Sequence, residues 1–353
     1  MALIERHDIV VIGASAGGVE ALIRLAQALP RDLPASLFVV LHTPARGKSM
    51  LPAILSRSGP LPATHAEHGA SIERGRIYVA PPDHHLLVKP GSIAVTQGPR
   101  ENRQRPAVDP LFRSAALAYG SRVVGVVLSG SLDDGASGLV SIKAQGGIAL
   151  VQDPTEALFD SMPRSAIQTV AVDQILPVDR IAAEIARLSV TPVTGKDGAV
   201  SRELELETRI AEADPALMRE ELQLGTPASL GCPECGGTLW EMHEGPLTRF
   251  RCRVGHAYTA STLLDEQAEV LEDALWAAVR NLEEQASLHR RLMARAEENG
   301  HALSLERYRD RVGDATRRAE VVRRFLLSEF ADSTPEIAAA SVDGTIAGRS
   351  LSS

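Results

Sequence analysis

Five short runs of aliphatic and β-branched residues punctuate the first half of the chain: IVVI (9–12), LFVVL (37–41), IYVA (77–80), VVGVVL (123–128) and IALVQ (148–152). Each is apolar at consecutive positions and is bounded by Gly, Pro or Asp. Such strands must be covered on both faces. Between several of them lie segments of helical period, VEALIRLAQAL (19–29), DPLFRSAALAYG (109–120) and GASGLVSIKAQGG (135–147). This alternation predicts an α/β domain over residues 1–192, a doubly wound, mostly parallel sheet with helices on both faces. The stretch LLVKPGSIAVTQG (86–98) differs, because two alternating runs flank Pro90-Gly91. It predicts a hairpin at one sheet edge.

The pattern weakens after residue 192. Residues 193–229, with TPVTGKDGAV and the charged ELELETRIAEADPALMREELQ, read as a linker with some local structure. A compact Cys-containing unit follows at 230–260, and then a helical region at 261–330. There Leu264, Leu271, Leu275, Val279, Leu282, Ala286 and Met293 recur at mostly three- and four-residue steps. After the interruption ENGH (298–301) the spacing continues through Tyr308, Val312, Ala315, Ala319, Val322 and Leu326. Two antiparallel helices or one coiled-coil seam would produce it, and either could form a homodimer, bind a partner helix or pack on the first domain. Residues 331–353, rich in Ser, Ala and Gly, read as a disordered tail.

Composition narrows the function classes. A formal net charge of −8 and only 3% aromatic residues argue against a nucleic-acid partner. No stretch approaches the ~18 apolar residues of a membrane span, and no signal-peptide pattern opens the chain, so a cytoplasmic protein without direct membrane insertion is expected.

The strand–turn–helix IVVI-GASAGG-VEAL places Ser15 in a Gly-x-Ser-x-Gly turn. A serine at the tip of such a turn is exposed at the C-terminal edge of the sheet, and the helix start offers free N–H groups to a developing oxyanion. The same shape also serves as a phosphate-binding or purely structural turn, although a dinucleotide fingerprint wants Gly where Ser15 stands. A nucleophilic serine needs a base and the base an orienting acid. His42, in VVLHTP, emerges just past the second strand at the same sheet edge. His84 and His85 follow Pro81-Pro82 in a loop that could line the cleft, and His65 and His68 fall in a polar connection. Asp133 and Asp134 follow the strand VVGVVL in a Gly-rich turn, where helix capping is the ordinary role of an aspartate.

GASAGG, VVLHTP, IYVAPPDHHLLV, RPAVDPLFRSAA, VVLSGSLDDGASGL and MPRSAI together resemble the catalytic domain of the CheB-type chemotaxis protein-glutamate methylesterases, in order and spacing, over residues 8–190. The resemblance implies a doubly wound fold with Ser15 as nucleophile, His42 as base and Asp134, rather than Asp133, as the orienting acid. It implies hydrolysis of glutamyl γ-methyl esters on chemoreceptor helices, with glutamine deamidation in some members, and no catalytic cofactor. Backbone N–H groups of Ala16 and of the Gly130-Ser131 turn, taken as Ser131, would hold the oxyanion. The chain departs from the family where Ser131-Leu132 replaces the usual Met-Gly. No phosphorylatable receiver segment precedes the catalytic pattern, so control by phosphorylation within this chain is not expected.

Cys232 and Cys235 stand two residues apart, Cys252 follows after sixteen more and His256 after a further three. A Cys-x-x-Cys knuckle with a second ligand pair suits a tetrahedral Cys₃His zinc site of zinc-ribbon type, and four protein ligands make it structural. A unit of ~30 residues has too small a core to fold without a staple. The alternatives are a redox pair or reduced core thiols. The unit resembles a C-terminal extension found on some receiver-less methylesterase-like proteins.

Three functions compete on these grounds: a serine esterase, a signalling module that keeps the esterase fold and chooses partners through its extension, and a dinucleotide-binding oxidoreductase.

Overall fold

The computed structural model describes residues 5–195, 197–217, 225–244 and 247–329. The chain divides into two compact units, one ending at Gln267 and the other beginning at Ala268.

The first unit begins with β1 (Ile9–Ala14), α1 (Gly18–Ala28), β2 (Ser36–Leu41), α2 (Leu51–Ser58), β3 (Ala63–His65) and β4 (Arg76–Val79). It continues through β5 (His85–Lys89), β6 (Ser92–Thr96), α3 (Val108–Tyr119), β7 (Val123–Val127), α4 (Ala136–Ala144), β8 (Ile148–Gln152), α5 (Ser161–Thr169), β9 (Gln174–Leu176) and α6 (Val178–Val190). Seven strands form one sheet in the order β3-β4-β2-β1-β7-β8-β9. Every pair in it is parallel. Alternate residues of β1 feed different cores: Val10 and Ile12 pack with Leu22 and Leu25 of α1 and Ile181 of α6. Ile9 and Val11 pack with Leu111 and Phe112 of α3 and Leu139 of α4. Burial on both faces explains why β1 is apolar at consecutive positions.

The expected hairpin forms, but not at the sheet edge. β5 and β6 pair antiparallel as a separate two-stranded sheet. Leu86, Val88 and Ile93 are buried with α3 in the second core. The hairpin's other face is covered as well, since Leu87 and Ala94 are buried against Ala211.

The segment read as a linker carries α7 (Arg202–Ala211), whose Ser201 hydroxyl accepts the Leu204 N–H as an N-cap. Then β10 (Thr226–Gly231), β11 (Thr238–Glu244), β12 (Leu247–Cys252) and β13 (Ala257–Thr259) make a four-stranded antiparallel sheet. Its joint with the α/β part is ionic and buried. Glu101 and Glu207 meet Arg113, Arg249 and Arg251, and all five are at most 3% exposed. Arg251 Nη2 donates to Glu101 at 3.0 Å and to Glu207 at 2.8 Å; Arg249 Nη1 donates to Glu207 at 2.9 Å. Arg113 pairs with Glu101. Burial alone would raise both carboxyl pKa values, but the three guanidinium groups hold them below the usual range.

Helix α8 (Ala260–Glu298) starts in the first unit, and α9 (Ala302–Glu329) lies in the second. Of the two arrangements expected, the antiparallel pair is present: Arg323 bonds Glu283, and His289 stacks on Tyr308 at 6.0 Å. Val279, Ala286, Ala315, Ala319 and Leu326 are buried along the seam. Leu264 and Leu271, expected in that seam, are 66% and 51% exposed. At that level it is Leu263 that is buried, against Cys232, Leu239, Phe250 and Tyr258 of the small sheet. The tail expected at 331–353 lies outside the described residues. Among those described, no helix is long and apolar enough to cross a membrane.

Candidate active site

The sheet's topology decides where chemistry can occur. The chain leaves β1 toward β2 on one side, and β7 pairs on the other, which creates a crevice at the C-terminal ends of these strands. Ser15 follows β1 directly. Its N–H donates to Ser129 O at 3.0 Å, and its own carbonyl accepts the Gly18 N–H at 2.9 Å, closing the turn. Gly17 sits in the left-handed region with φ 70°, and a β-carbon there would stand 2.8 Å from both Leu158 Cβ and Ser129 Oγ. Only glycine meets both demands without cost.

His42 follows β2, with its N–H donated to Ala14 O at 3.2 Å. Its Nδ1 lies 3.1 Å from Ser15 Oγ, and its Nε2 lies 2.8 Å from Asp134 Oδ2. Asp134, in the turn after β7, also accepts the backbone N–H groups of Val108 at 2.6 Å and Asp109 at 3.1 Å. Those are the first N–H groups of α3, which have no partner within the helix, so the carboxylate sits at a helix N-terminus. Asn102 Nδ2 donates to its Oδ1 at 3.1 Å. Burial pushes the Asp134 pKa up, but the hydrogen bond and charge of His42, the Val108 N–H and the Asn102 amide outweigh it and hold the carboxyl at about 2. Ionised Asp134 can only accept, so the Nε2 of His42 carries the proton and Nδ1 is free to take one. The structure therefore joins Ser15, His42 and Asp134 in one hydrogen-bonded chain.

The neighbouring candidates fall elsewhere. Asp133 turns to the Ser261 hydroxyl. His85 does not line the cleft: it opens β5, is fully buried, bonds Pro99 O through Nε2 at 2.9 Å and accepts the Ala107 N–H on Nδ1. His65 lies in β3 and bonds Ser49 O. The Ala16 and Ser131 N–H groups have no hydrogen-bond partner among the described residues, whereas the Gly130 N–H is bonded to Phe159 O at 3.0 Å. Leu132, where the resembled family usually has glycine, holds φ 65°. That conformation costs a non-glycine residue ~1–2 kcal/mol.

A cavity of about 380 Å³ opens beside His42, lined by Thr43, Pro44, Arg100, Arg103, Gln104 and Arg105. A larger one, about 830 Å³, lies among α4, α7 and β11 and is lined by none of the three bonded residues.

In the small sheet, ligand-type atoms of Cys232, Cys235, Cys252 and His256 all lie within 4.8 Å of one another. Two backbone knuckles bring them there: Gly236 N–H donates to Cys232 O at 2.8 Å, and Gly255 N–H donates to Cys252 O at 2.9 Å. His256 Nδ1 is 3.7 Å from Cys232 Sγ and 3.6 Å from Cys252 Sγ, and Cys235 Sγ is 3.7 Å from Cys252 Sγ. A zinc tetrahedron with Zn–S ~2.3 Å and Zn–N ~2.0 Å has edges of about 3.5–3.8 Å, so the donor set fits that ion. Glu234 lies 3.2 Å from the other ring nitrogen of His256, the position of a carboxylate that orients a ligating imidazole.

Comparison with known proteins places these features in context. The family model described as CheB methylesterase matches residues 10–185. A putative protein-glutamate methylesterase/protein-glutamine glutaminase of Leptospira interrogans is 39% identical over 183 residues, which are 52% of this chain and 95% of that protein. A protein-glutamate methylesterase/protein-glutamine glutaminase 2 of Anaeromyxobacter dehalogenans is 40% identical over 184 residues, 52% of this chain and 54% of that longer protein. The crystal structure of the Thermotoga maritima CheB methylesterase catalytic domain aligns with TM-score 0.49 and 32% identity, covering 51% of this chain and 98% of that one.

Proposed function

The chain belongs to the CheB methylesterase family, and from that premise we propose that it hydrolyses γ-methyl esters of protein glutamates with Ser15 as nucleophile. The observation that carries this reading is the bonded chain from Ser15 Oγ through His42 to Asp134.

His42 Nδ1 takes the Ser15 proton as Oγ attacks the ester carbonyl. Asp134, ionised and held by the start of α3, orients the ring and stabilises the imidazolium that results. The tetrahedral oxyanion is held by backbone N–H groups, with Ala16 and Ser131 as the donors. Collapse breaks the C–O bond to the methoxy group, and His42 returns its proton to release methanol. Water, deprotonated by His42, then hydrolyses the acyl-serine and regenerates Ser15. The same attack on a glutamine side chain expels ammonia, which is the glutaminase activity in the relatives' names. Arg100 in the cavity beside His42 suits a chemoreceptor helix that bears further glutamates, whereas Arg103 and Arg105 there already pair with Glu266 and Asp83.

Cys232, Cys235, Cys252 and His256 are proposed to hold a structural zinc. The ion would clip the two knuckles of the small sheet together, and four protein ligands leave it no position for a substrate.

The test is methanol release from a methylated chemoreceptor fragment. The intact protein releases methanol and Ser15→Ala does not. Absence of release from folded wild-type protein would overturn the substrate assignment and favour the signalling reading.

A further inference from the structure

Asn102 occupies an unusual junction. It lies in the polar loop RENRQRP, in the left-handed conformation with φ 49°. Its Nδ2 donates to Asp109 Oδ2 at 3.0 Å and to Asp134 Oδ1 at 3.1 Å. Its Oδ1 accepts the Thr259 N–H at 3.2 Å, a proton shared with Thr262 Oγ1, and lies 3.4 Å from the Thr262 hydroxyl, whose proton Thr259 O can also accept at 3.3 Å. An amide has two donors and an acceptor oxygen with two lone pairs, and here both donors and the oxygen face partners. The residue is 2% exposed, so no water replaces a lost partner.

The two ends of this amide touch different parts of the chain. The donors face the carboxylates of the α/β domain. The acceptor faces the turn that starts α8, where Thr259 and Thr262 cap each other: Thr262 N–H donates to Thr259 Oγ1 at 3.2 Å and Thr259 N–H to Thr262 Oγ1 at 2.9 Å. The backbone repeats the link, since Asn102 N–H donates to Ala257 O at 2.8 Å and Ala257 N–H to Arg100 O at 3.2 Å. Ser261 bonds Asp133, the residue beside Asp134. Freed of Thr259 and Thr262, the amide could turn its oxygen toward ionised Asp134, which would repel it and be left short of one donor; Asp109, raised well above the usual carboxylate range by burial and by the Asp134 charge, adds no such repulsion.

We propose that Asn102 is a positioning residue for Asp134 and that Thr259 and Thr262 of the C-terminal extension lock its amide in the donating orientation. The extension is then part of the acid's site, and undocking it lowers turnover without touching substrate. This rests on the reading of Asp134 as the orienting acid.

The experiment is a double-mutant cycle on the full chain with Asn102→Gly, which keeps the left-handed backbone accessible, and Thr262→Val, which keeps the side-chain shape. Two readouts are taken: kcat and KM for methanol release, and the downfield proton resonance of the His42 Nε2–H, assigned by its loss in His42→Gln. Thr262→Val is expected to lower kcat about 5-fold, the worth of one hydrogen bond, with KM unchanged. The resonance moves further downfield, because Asp134 has less competition for its charge. Asn102→Gly does the same more strongly, Thr262→Ser restores both values, and Thr262→Val adds nothing in the Asn102→Gly background. An equal effect of Thr262→Val in both backgrounds, or wild-type kcat and resonance in Thr262→Val, overturns the proposal. If wild type releases no methanol, the esterase reading fails, and the resonance still decides this one. Thermal melting checks folding, and Thr262→Ala takes the place of Thr262→Val if the valine variant does not fold.

Discussion

Gly130 lies against Ser15 so closely that a β-carbon built on it would stand 2.9 Å from the Ser15 Cβ and 2.0 Å from Met162 Sδ. Ser15 follows β1 and Gly130 lies three residues past β7, its neighbour in the sheet, and the Ser15 N–H bonds the carbonyl of Ser129 beside Gly130. The methionine can swing aside, but the Ser15 turn is pinned by its bonds to Ser129 and Gly18. Gly130→Ala should therefore displace Oγ from His42. Overpacking of this kind costs ~1–3 kcal/mol. The expected result is a fall in kcat larger than that stability loss accounts for, read from kinetics and urea unfolding on the same variant. Unchanged kcat would show that the turn has slack.

Asp134→Asn should lower kcat by a factor on the order of 10⁴, because an amide can donate to His42 Nε2 and favours the wrong tautomer. It should also change the pH dependence of stability. Its surroundings hold the folded carboxyl at about 2, below the 3.8 of an unperturbed aspartate. The depressed value means the native state binds this proton less readily than the unfolded chain. Its contribution, about 2 kcal/mol, is complete above pH ~4 and is lost as pH falls toward 2. Urea unfolding of wild type and Asp134→Asn at pH 7 and pH 2.5 should show the gap between them narrowing in acid. A constant gap would mean that Asp134 is not held ionised by its surroundings.

Arg251→Met tests the ionic joint. Removing one guanidinium leaves Glu101 and Glu207 short of a partner at 1% and 3% exposure. Breaking a buried pair from one side typically costs ~3–5 kcal/mol. The prediction is a loss of that order in denaturant unfolding, with a single transition for the α/β part and the small sheet together. Two separated transitions would show that the extension folds independently.

Metal content gives the fourth prediction. Purified protein should carry one zinc per chain, released stoichiometrically when a mercurial blocks the thiols. Cys235→Ala should lose the metal and shift the fluorescence of Trp240, which lies in β11 between the two knuckles. Metal-free wild-type protein with unchanged Trp240 emission would overturn the zinc assignment.

The local elements were legible wherever burial on both faces wrote itself into consecutive residues, as in IVVI and IALVQ. β3 and β9 were not, because three-residue strands at the two sheet edges carry too little pattern. Ser15 and His42 could be read from their places just past apolar strands, since a parallel sheet delivers all its strand ends to one edge. Choosing Asp134 over Asp133 took a family resemblance; in the structure Asp134 meets the start of α3, whereas Asp133 meets Ser261.

Asn102 carried no sequence signal. It sits in a polar loop without periodicity, and its partners Thr259 and Thr262 are 157 and 160 residues away. The same holds for Glu101, Glu207 and Arg251, since charges in a sequence ordinarily mean a solvated surface. Sequence alone determined the longer buried strands, the helices between them, the Ser15 turn and the ligand spacings, because those depend on neighbours a few residues apart. Tertiary structure alone decided that the extension closes on the acid behind the serine. Which buried charges and amides meet depends on packing between segments far apart in the chain, and local residue patterns do not record it.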